Sequence, residues 1–193
     1  MSQADINVFV CAAQNDMLTP VGVTTAVVTR GIPVNGRHSD WGVTALQWAV
    51  QWKRCGLVVA LLAAGADANV KNLGGHTSVL LGASDSTADI LQLLLDGGGN
   101  VNEVSISGQS PLIALVRTNN GKAAARLQVL LACPELDLDV DYKGKTAEQW
   151  AVHARHVELA SAIAEERAGR ERWGGLRAAW VAATVTQPHA FSS

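Results

Sequence analysis

The sequence predicts an all-α solenoid of about five stacked helix-turn-helix repeats, the first and last of them atypical caps, followed by a C-terminal helix. Two observations predict it. First, the phrase Gly-Val-Thr-Ala-Leu at 42–46 returns as Gly-His-Thr-Ser-Val at 75–79, 33 residues later, and as Gly-Gln-Ser-Pro-Leu at 108–112. Second, two short apolar segments follow each phrase. A fixed period of this length indicates one supersecondary unit stacked on copies of itself.

Residues 1–38 are assigned to an N-terminal capping repeat. The apolar positions between 8 and 13 predict a first helix, and Thr19-Pro20 predicts the start of a second, because proline is favoured in the first helical turn. Gly-Ile-Pro-Val-Asn at 31–35 stands where the later copies have a closing phrase. End repeats of solenoids are atypical, which agrees with this drift.

The first clear repeat covers about residues 39–71. Thr44 can cap a helix over the apolar positions of 46–50, and 57–62 supply the apolar face of a second helix, which Gly65 ends. An isolated helix of about ten residues is marginal in water, so each helix needs its neighbours. Leu61, and Leu94 one period later, are therefore expected in the core.

Three more repeats follow, at about 72–104, 105–140 and 141–166. The last opening phrase, Gly-Lys-Thr-Ala-Glu at 144–148, comes 36 residues after the previous one. The three extra residues fall at 119–125, between two apolar segments, where a loop can absorb them at little entropic cost. Each repeat therefore keeps its ends in register.

The closing phrases carry a family resemblance. Leu-Leu-Ala-Ala-Gly-Ala-Asp-Ala-Asn at 61–69 and Leu-Leu-Asp-Gly-Gly-Gly-Asn-Val-Asn at 94–102, together with the opening phrases, resemble the ankyrin-repeat family over about residues 5–166. The asparagines that end these phrases, Asn69 and Asn102, are expected to tie the turn by side-chain hydrogen bonds. The resemblance offers asparagine hydroxylation as an alternative role.

The chain departs from the family at one repeated position. The histidine of the family's opening phrase, which the resemblance implies is a hydrogen-bonding staple between adjacent turns, is replaced by Gln47, Leu80, Ile113 and Gln149. Each lost buried hydrogen bond is worth about 1 kcal/mol. Coupling between repeats is therefore expected to be weaker than in a consensus array.

Composition changes after residue 166. Residues 1–166 carry 11 Lys and Arg against 16 Asp and Glu, whereas 167–193 carry 4 Arg and 1 Glu. Residues 167–193 are predicted to form a basic amphipathic helix and a frayed end. The apolar side chains Trp173, Leu176 and Trp180 are expected to cover the last repeat, with presentation to a partner as the alternative.

Composition also argues against several classes of protein. The net charge of −2 provides no positive electrostatic field that would attract nucleic acid. The apolar run 57–66 is about half as long as a segment that crosses a bilayer. Neither nucleic acid nor membrane is therefore an expected partner. Three widely spaced cysteines favour a reducing compartment, cytoplasm or nucleus.

Nothing in the sequence indicates an enzyme. Cys55 could in principle pair with His76 or His153 as nucleophile and base, but no phrase supplies a positioned base or an oxyanion site. Cys55 is instead expected to be a buried apolar residue. Of the Cys and His pairs, His153 and His156 have zinc-like spacing, and two ligands do not make a site. We predict no catalytic residues, no metal and no cofactor.

The repeat alignment places the variable positions, around each opening turn and at the end of each first helix, along one concave strip. Solenoids bind their partners on such a strip. The candidate partner-binding residues are Trp41, Val43, Gln51, Trp52, Leu73, His76, Asp85, Ile106, Gln109, Arg117, Tyr142, Lys143, Lys145 and His153.

The strip carries large apolar or aromatic side chains where a solvated turn is ordinarily polar: Trp41, Trp52, Leu73, Ile106 and Tyr142. Interface anchors are enriched in Trp, Tyr and Arg. A contact patch with a hydrophobic centre and a rim of His76, Arg117, Lys143 and Lys145 is predicted. In the alternative, Trp41 and Trp52 fold over each other or over a neighbouring turn, and Trp48 and Trp150 are assigned to packing.

The predicted function is a non-enzymatic protein-protein interaction module, expected to be monomeric, that binds a protein partner along this strip. The alternative is a subunit that recruits a substrate or partner to an enzyme assembly, such as a ubiquitin ligase or kinase, connected through 167–193. The resemblance implies both roles, and the identity of the partner stays open.

Overall fold

The computed structural model describes residues 2–15, 17–118, 121 and 123–185, with side chains described as far as 173. Within these residues the chain forms ten α-helices in five consecutive pairs, and the prediction of an all-α solenoid is confirmed. The pairs are α1 (Gln3–Gln14) with α2 (Pro20–Thr24), α3 (Ala45–Gln51) with α4 (Cys55–Ala63), α5 (Ser78–Asp85) with α6 (Ala88–Asp96), α7 (Pro111–Arg117) with α8 (Ala123–Leu131), and α9 (Ala147–His153) with α10 (Val157–Val185).

The helices stack in two layers. The first helix of each pair packs on the first helix of the next pair, from α1 through α9, and the second helices form a parallel row from α2 through α10. Helix α2 continues as a π-helical turn over Thr25–Thr29. None of the helices described in this structure is both long enough and apolar enough to cross a lipid bilayer.

The opening phrases form helix caps. The side-chain oxygens of Thr44, Thr77, Ser110 and Thr146 each accept a hydrogen bond from the backbone N–H three residues later. Thr19 caps α2 in the same way, with Pro20 in the first turn, as predicted. Each cap satisfies a backbone donor that the helix itself leaves free.

The core runs along the interface between the two layers. Leu61 of α4 and Leu94 of α6 are fully buried, which confirms the repeat alignment at both positions. Burying one leucine side chain contributes about 1.5–3 kcal/mol relative to leaving it exposed. The second helices of the other repeats bury Val23, Leu130 and Ile163 just as completely, so the stack buries apolar surface that no single pair could bury alone.

Asparagine side chains join successive closing phrases. The Oδ1 of Asn69 accepts a hydrogen bond from the N–H of Asn100 at 2.7 Å, and its Nδ2 donates to the carbonyl of Gly98 at 2.9 Å. Asn102 makes the equivalent bonds to Asp137 and Glu135, and Asn35 makes them to Asp67 and Gly65. The expected role of Asn69 and Asn102 in tying turns is confirmed, and the bonds join neighbouring repeats.

The positions of the family's histidine behave differently from one another. The Nε2 of Gln47 donates to the carbonyls of Val70 and His76, both at 2.8 Å, so a hydrogen-bonding staple is kept in this repeat. Leu80 and Ile113 are buried and apolar, and Gln149 is exposed. The expectation of a lost staple is therefore wrong at Gln47.

Helix α10 runs without a break through residue 166, so the predicted boundary at 166 falls inside a helix. The guanidinium of Arg170 donates to the carbonyls of Leu131, Cys133, Pro134 and Leu136, and that of Arg167 donates to the carbonyl of Leu138. Arg167 and Arg170 thus hold this helix on the fourth repeat.

Trp173 remains largely exposed, which contradicts the expectation that it covers the last repeat. The side chains of Leu176 and Trp180, and the predicted frayed end at 187–193, lie outside the described residues.

Candidate partner-binding surface

The opening turns of consecutive repeats lie side by side. The N–H of Leu73 donates to the carbonyl of Trp41 at 3.2 Å, and the N–H of Ile106 donates to the carbonyl of Gly74 at 3.2 Å. Gly75 has a φ of +73°, and a Cβ there would lie 2.6 Å from the backbone nitrogen of Ile106. Glycine is required at this position, because both the backbone conformation and the close approach exclude a side chain.

Three large apolar side chains project from these joined turns, and we call Trp41, Leu73 and Ile106 the apolar row. Their exposed fractions are 50%, 62% and 79%. Trp52, at the end of α3, is exposed by 56%. Single exposed apolar residues are ordinary, but several on adjoining turns are typical of an interaction surface.

Trp41 is oriented by aromatic contacts with His38, the last residue of the capping repeat, and with Trp48. Its ring stacks on His38, with centroids 4.3 Å apart and planes 16° apart, and its edge meets Trp48 with centroids 6.3 Å apart. The buried His38 accepts the N–H of Asp40 at its Nδ1. In the structure Trp41 therefore rests on His38 and not on Trp52. Sequence reasoning missed His38, since no repeated signal marks it.

Tyr142 does not extend the apolar row. The prediction that it is an exposed strip residue is wrong, because only 6% of the residue is exposed. Its N–H and carbonyl both bond to Lys145, which closes a tighter turn than in the earlier repeats, and Lys143 takes a left-handed φ of 54°. This turn directs the tyrosine ring towards Trp150, whose Nε1 donates to the carbonyl of Tyr142 at 3.0 Å.

Three cations lie over these two rings, and we call Arg117, Tyr142, Lys143, Lys145 and Trp150 the cation–aromatic cluster. The Arg117 guanidinium carbon is 4.9 Å from the Tyr142 ring centroid and 5.3 Å from that of Trp150. The Nζ of Lys143 is 5.3 Å from the Tyr142 centroid, and that of Lys145 is 5.0 Å from the Trp150 centroid. Such contacts are each worth about 0.5–1 kcal/mol at exposed sites.

His153 extends the cation–aromatic cluster at the end of α9. Its ring meets the edge of Trp150, with centroids 5.8 Å apart and planes at 85°. Trp150 and Trp48 are both partly buried against the core, which confirms their assignment to packing, and Trp150 also forms the base of the cluster. Sequence reasoning missed this second role, because the cluster joins three segments that are separated along the chain.

Asp85, the last residue of α5, is already paired. Its Oδ1 accepts from the Nζ of Lys53 at 3.0 Å, with both side chains exposed, and such surface pairs contribute little to stability. The buried Arg126 donates its Nη1 to the carbonyl of Ala83. Burial lowers the pKa of the Arg126 guanidinium, and the Asp85 carboxylate opposes that shift.

The remaining predicted residues line the strip behind the turn tips. Gln51 is exposed beside Trp52, whereas Val43, His76 and Gln109 are half-buried. The N–H of His76 donates to Asn72 and that of Gln109 donates to Ser105, so the turn geometry holds both residues. These residues frame the apolar row.

No cluster of three or more His, Cys, Asp or Glu side chains that could hold a metal ion occurs in the part of the chain that the structure describes. Cys55 is exposed, so the expectation of a buried Cys55 is wrong. It is the first residue of α4, and the inward face of that helix begins at Leu57.

The sequence of this chain is similar to those of known repeat proteins. A family model described as "Ankyrin repeats (3 copies)" matches residues 80–171, and one described as "Ankyrin repeat" matches residues 41–73. Similar proteins include neurogenic locus notch homolog protein 1 of Danio rerio, 25% identical over 150 residues, and inversin of Homo sapiens, 26% identical over 141 residues. The alignments cover 77% and 72% of this chain but only 6% and 13% of those proteins.

Proposed function

Because this chain belongs to the ankyrin-repeat family, we propose that it is a binding module whose protein partner lies along the concave strip from Trp41 to His153. Ankyrin repeats are generally protein-protein interaction modules and are typically non-catalytic. The chain covers a small part of its relatives, so the roles of those whole proteins do not transfer to it.

The observation that supports this proposal best is the apolar row. Its turns are held in place by backbone hydrogen bonds and by left-handed glycines, so the three side chains stand on a rigid support. Preorganised apolar anchors lose little conformational entropy on binding, which favours affinity. The proposal also includes a non-catalytic chain that is monomeric, and light scattering checks the monomeric state.

Affinity capture with matched variants tests the proposal. The full chain is immobilised as wild type, as Leu73→Ser/Ile106→Ser, and as the control Val59→Ser/Val157→Ser, which removes exposed aliphatic side chains from the outer helices. We expect proteins captured by both wild type and control to be lost from the apolar-row variant, with affinity falling by about tenfold or more. Equal capture by all three would contradict the proposal.

The recruiting role in an enzyme assembly is tested in the same format. A chain truncated after Trp173 keeps the Arg167 and Arg170 contacts with the fourth repeat while removing the rest of the C-terminal segment. Selective loss of a ligase or kinase subunit from the truncated chain would favour that role. Unchanged capture would count against it.

A further inference from the structure

The cation–aromatic cluster concentrates positive charge that the chain does not neutralise. Among the described residues, none of Arg117, Lys143 and Lys145 forms an ion pair with a carboxylate, although each lies over an aromatic ring. The neighbouring acids Asp139 and Glu148 are both paired with Arg167. Asp141, next to Tyr142, makes no ion pair with the three cations either.

Two lysines of the second repeat, unlike those of the cluster, are paired with carboxylates. Lys53 pairs with Asp85, and Lys71 pairs with Glu103, each across to the next repeat. The third repeat therefore supplies carboxylates to these two lysines of the second repeat, whereas no described carboxylate pairs with the cations of the cluster. Their positive charge remains available to an outside group.

The rings of Tyr142 and Trp150 also restrict the motion of the three cationic groups above them. A guanidinium or ammonium group held over a ring has already lost much of its rotational freedom, so less entropy is lost when a carboxylate binds it. Arginine and lysine groups bound to carboxylates form strong charge-assisted hydrogen bonds. The cluster thus has the positive charge and the preorganisation that a binding site for acidic side chains needs.

Resting on the function proposed above, we propose that the cation–aromatic cluster binds an acidic segment of the protein partner, next to apolar side chains held by the apolar row. Ile106 and Lys143 stand on adjacent repeats, and packed helices lie about 10 Å apart. An extended peptide spans that distance in about three residues. The partner segment therefore carries apolar residues and, about three positions away, Asp or Glu.

A nucleic acid fits this surface less well. Binding to its backbone depends on neutralising several phosphates along an extended track. Here the unpaired cations are confined to one end of the strip, the other end is apolar, and the whole chain has a net charge of −2. An acidic peptide segment matches both ends.

Titration of the full chain with hexaglutamate tests the proposal, with hexaglutamine as the uncharged probe. The readout is the indole N–H signal of Trp150 in a nitrogen-correlated NMR spectrum, assigned with Trp150→Phe. We expect hexaglutamate to move this signal to saturation and hexaglutamine to leave it in place. An equal response to both probes would overturn the proposal.

Matched charge variants distinguish binding of hexaglutamate at the cluster from attraction to positive charge anywhere on the chain. Two double variants change the net charge equally: Lys143→Gln/Lys145→Gln and Lys53→Gln/Lys71→Gln. Both keep Arg117, which lies over the Tyr142 and Trp150 rings. The first pair is expected to weaken hexaglutamate binding about tenfold and the second less than about twofold. Equal weakening by both pairs, or tighter binding of oligouridylate than of hexaglutamate at the same signal, would overturn the proposal.

The two proposals fail in different ways. If the apolar-row variant loses captured partners but hexaglutamate does not bind at Trp150, the module stands and the acidic-segment proposal is wrong. If hexaglutamate binds while the apolar-row variant keeps every partner, the cluster is an acidic-peptide site and the apolar row is not the module's docking surface.

Discussion

The side-chain amide of Gln47 donates a hydrogen bond to the backbone carbonyl of His76, 2.8 Å away, and so joins an inner helix to the opening turn of the next repeat. A second bond from the same amide reaches Val70. Gln47 is almost completely buried, and both of its hydrogen bonds to these carbonyls are partly buried. This position therefore couples two repeats where the family's histidine is absent.

Gln47→Ala is expected to lower the free energy of unfolding by about 2 kcal/mol, because two carbonyls in a partly buried site lose their hydrogen-bond donor. Urea denaturation measures the loss. The control is Gln149→Ala, which removes an equivalent cap contact but no bond to another repeat, and should cost about 0.5 kcal/mol. Equal losses in both variants would contradict the inter-repeat role of Gln47.

Leu94→Ala and Leu73→Ala test the distinction between core and strip. Leu94 is fully buried, so its truncation is expected to cost about 2–5 kcal/mol, whereas truncating the exposed Leu73 should cost less than about 0.5 kcal/mol. The same denaturation experiment compares them. A large loss at Leu73 would mean that the apolar row stabilises the array rather than standing free on it.

Arg170→Gln is expected to loosen the attachment of α10 to the fourth repeat. The guanidinium donates to four backbone carbonyls in 131–136, including the bond to Leu136 at 2.6 Å, and glutamine cannot reach them all. Hydrogen exchange measured by mass spectrometry should show faster exchange in 131–139, with a loss of about 1–3 kcal/mol in stability.

The control for that experiment is Arg172→Gln. Arg172 is exposed, and the hydrogen bond found for it among the described residues goes to Ala168 of its own helix, so exchange in 131–139 should not change. Faster exchange in both variants would attribute the effect to a general loss of helix α10 and not to the contacts of Arg170.

Cys55 is expected to react with iodoacetamide before Cys133. Burial raises the pKa of the Cys133 thiol, and the Glu135 carboxylate raises it further, while Cys55 is exposed. A raised pKa leaves less thiolate at a given pH, so Cys133 should react later than Cys55, and its rate should keep rising to higher pH. Peptide mapping with Cys55→Ser and Cys133→Ser as assignment controls measures both rates. Faster labelling of Cys133 would contradict its burial.

Most of the fold could be predicted from the sequence. The helix starts at Thr44 and Thr19, the burial of Leu61 and Leu94, and the ties made by Asn69 and Asn102 all follow from residues within one repeat or from the period itself. Helix caps and apolar periodicity are local signals, so a single sequence carries them.

The partner-binding role of the strip stays a prediction, and its geometry could be anticipated only in part. The exposure of Trp41, Leu73 and Ile106 follows from the alignment of opening turns. The contact of Trp41 with His38 and the cover of Arg117 over Tyr142 could not be foreseen, because they depend on side-chain directions in turns of different tightness.

The sequence by itself determined the repeat, its period and the row of turns, because identical local interactions recur at each copy and stacking buries what each copy leaves exposed. Only the tertiary structure decided that Tyr142 turns inward beneath Arg117 and that Arg170 holds α10 to the fourth repeat. Both depend on residues that are distant along the chain: Arg117 meets Trp150, and Arg170 meets Leu131. A repeat pattern specifies what the copies share, whereas these contacts arise where the copies differ.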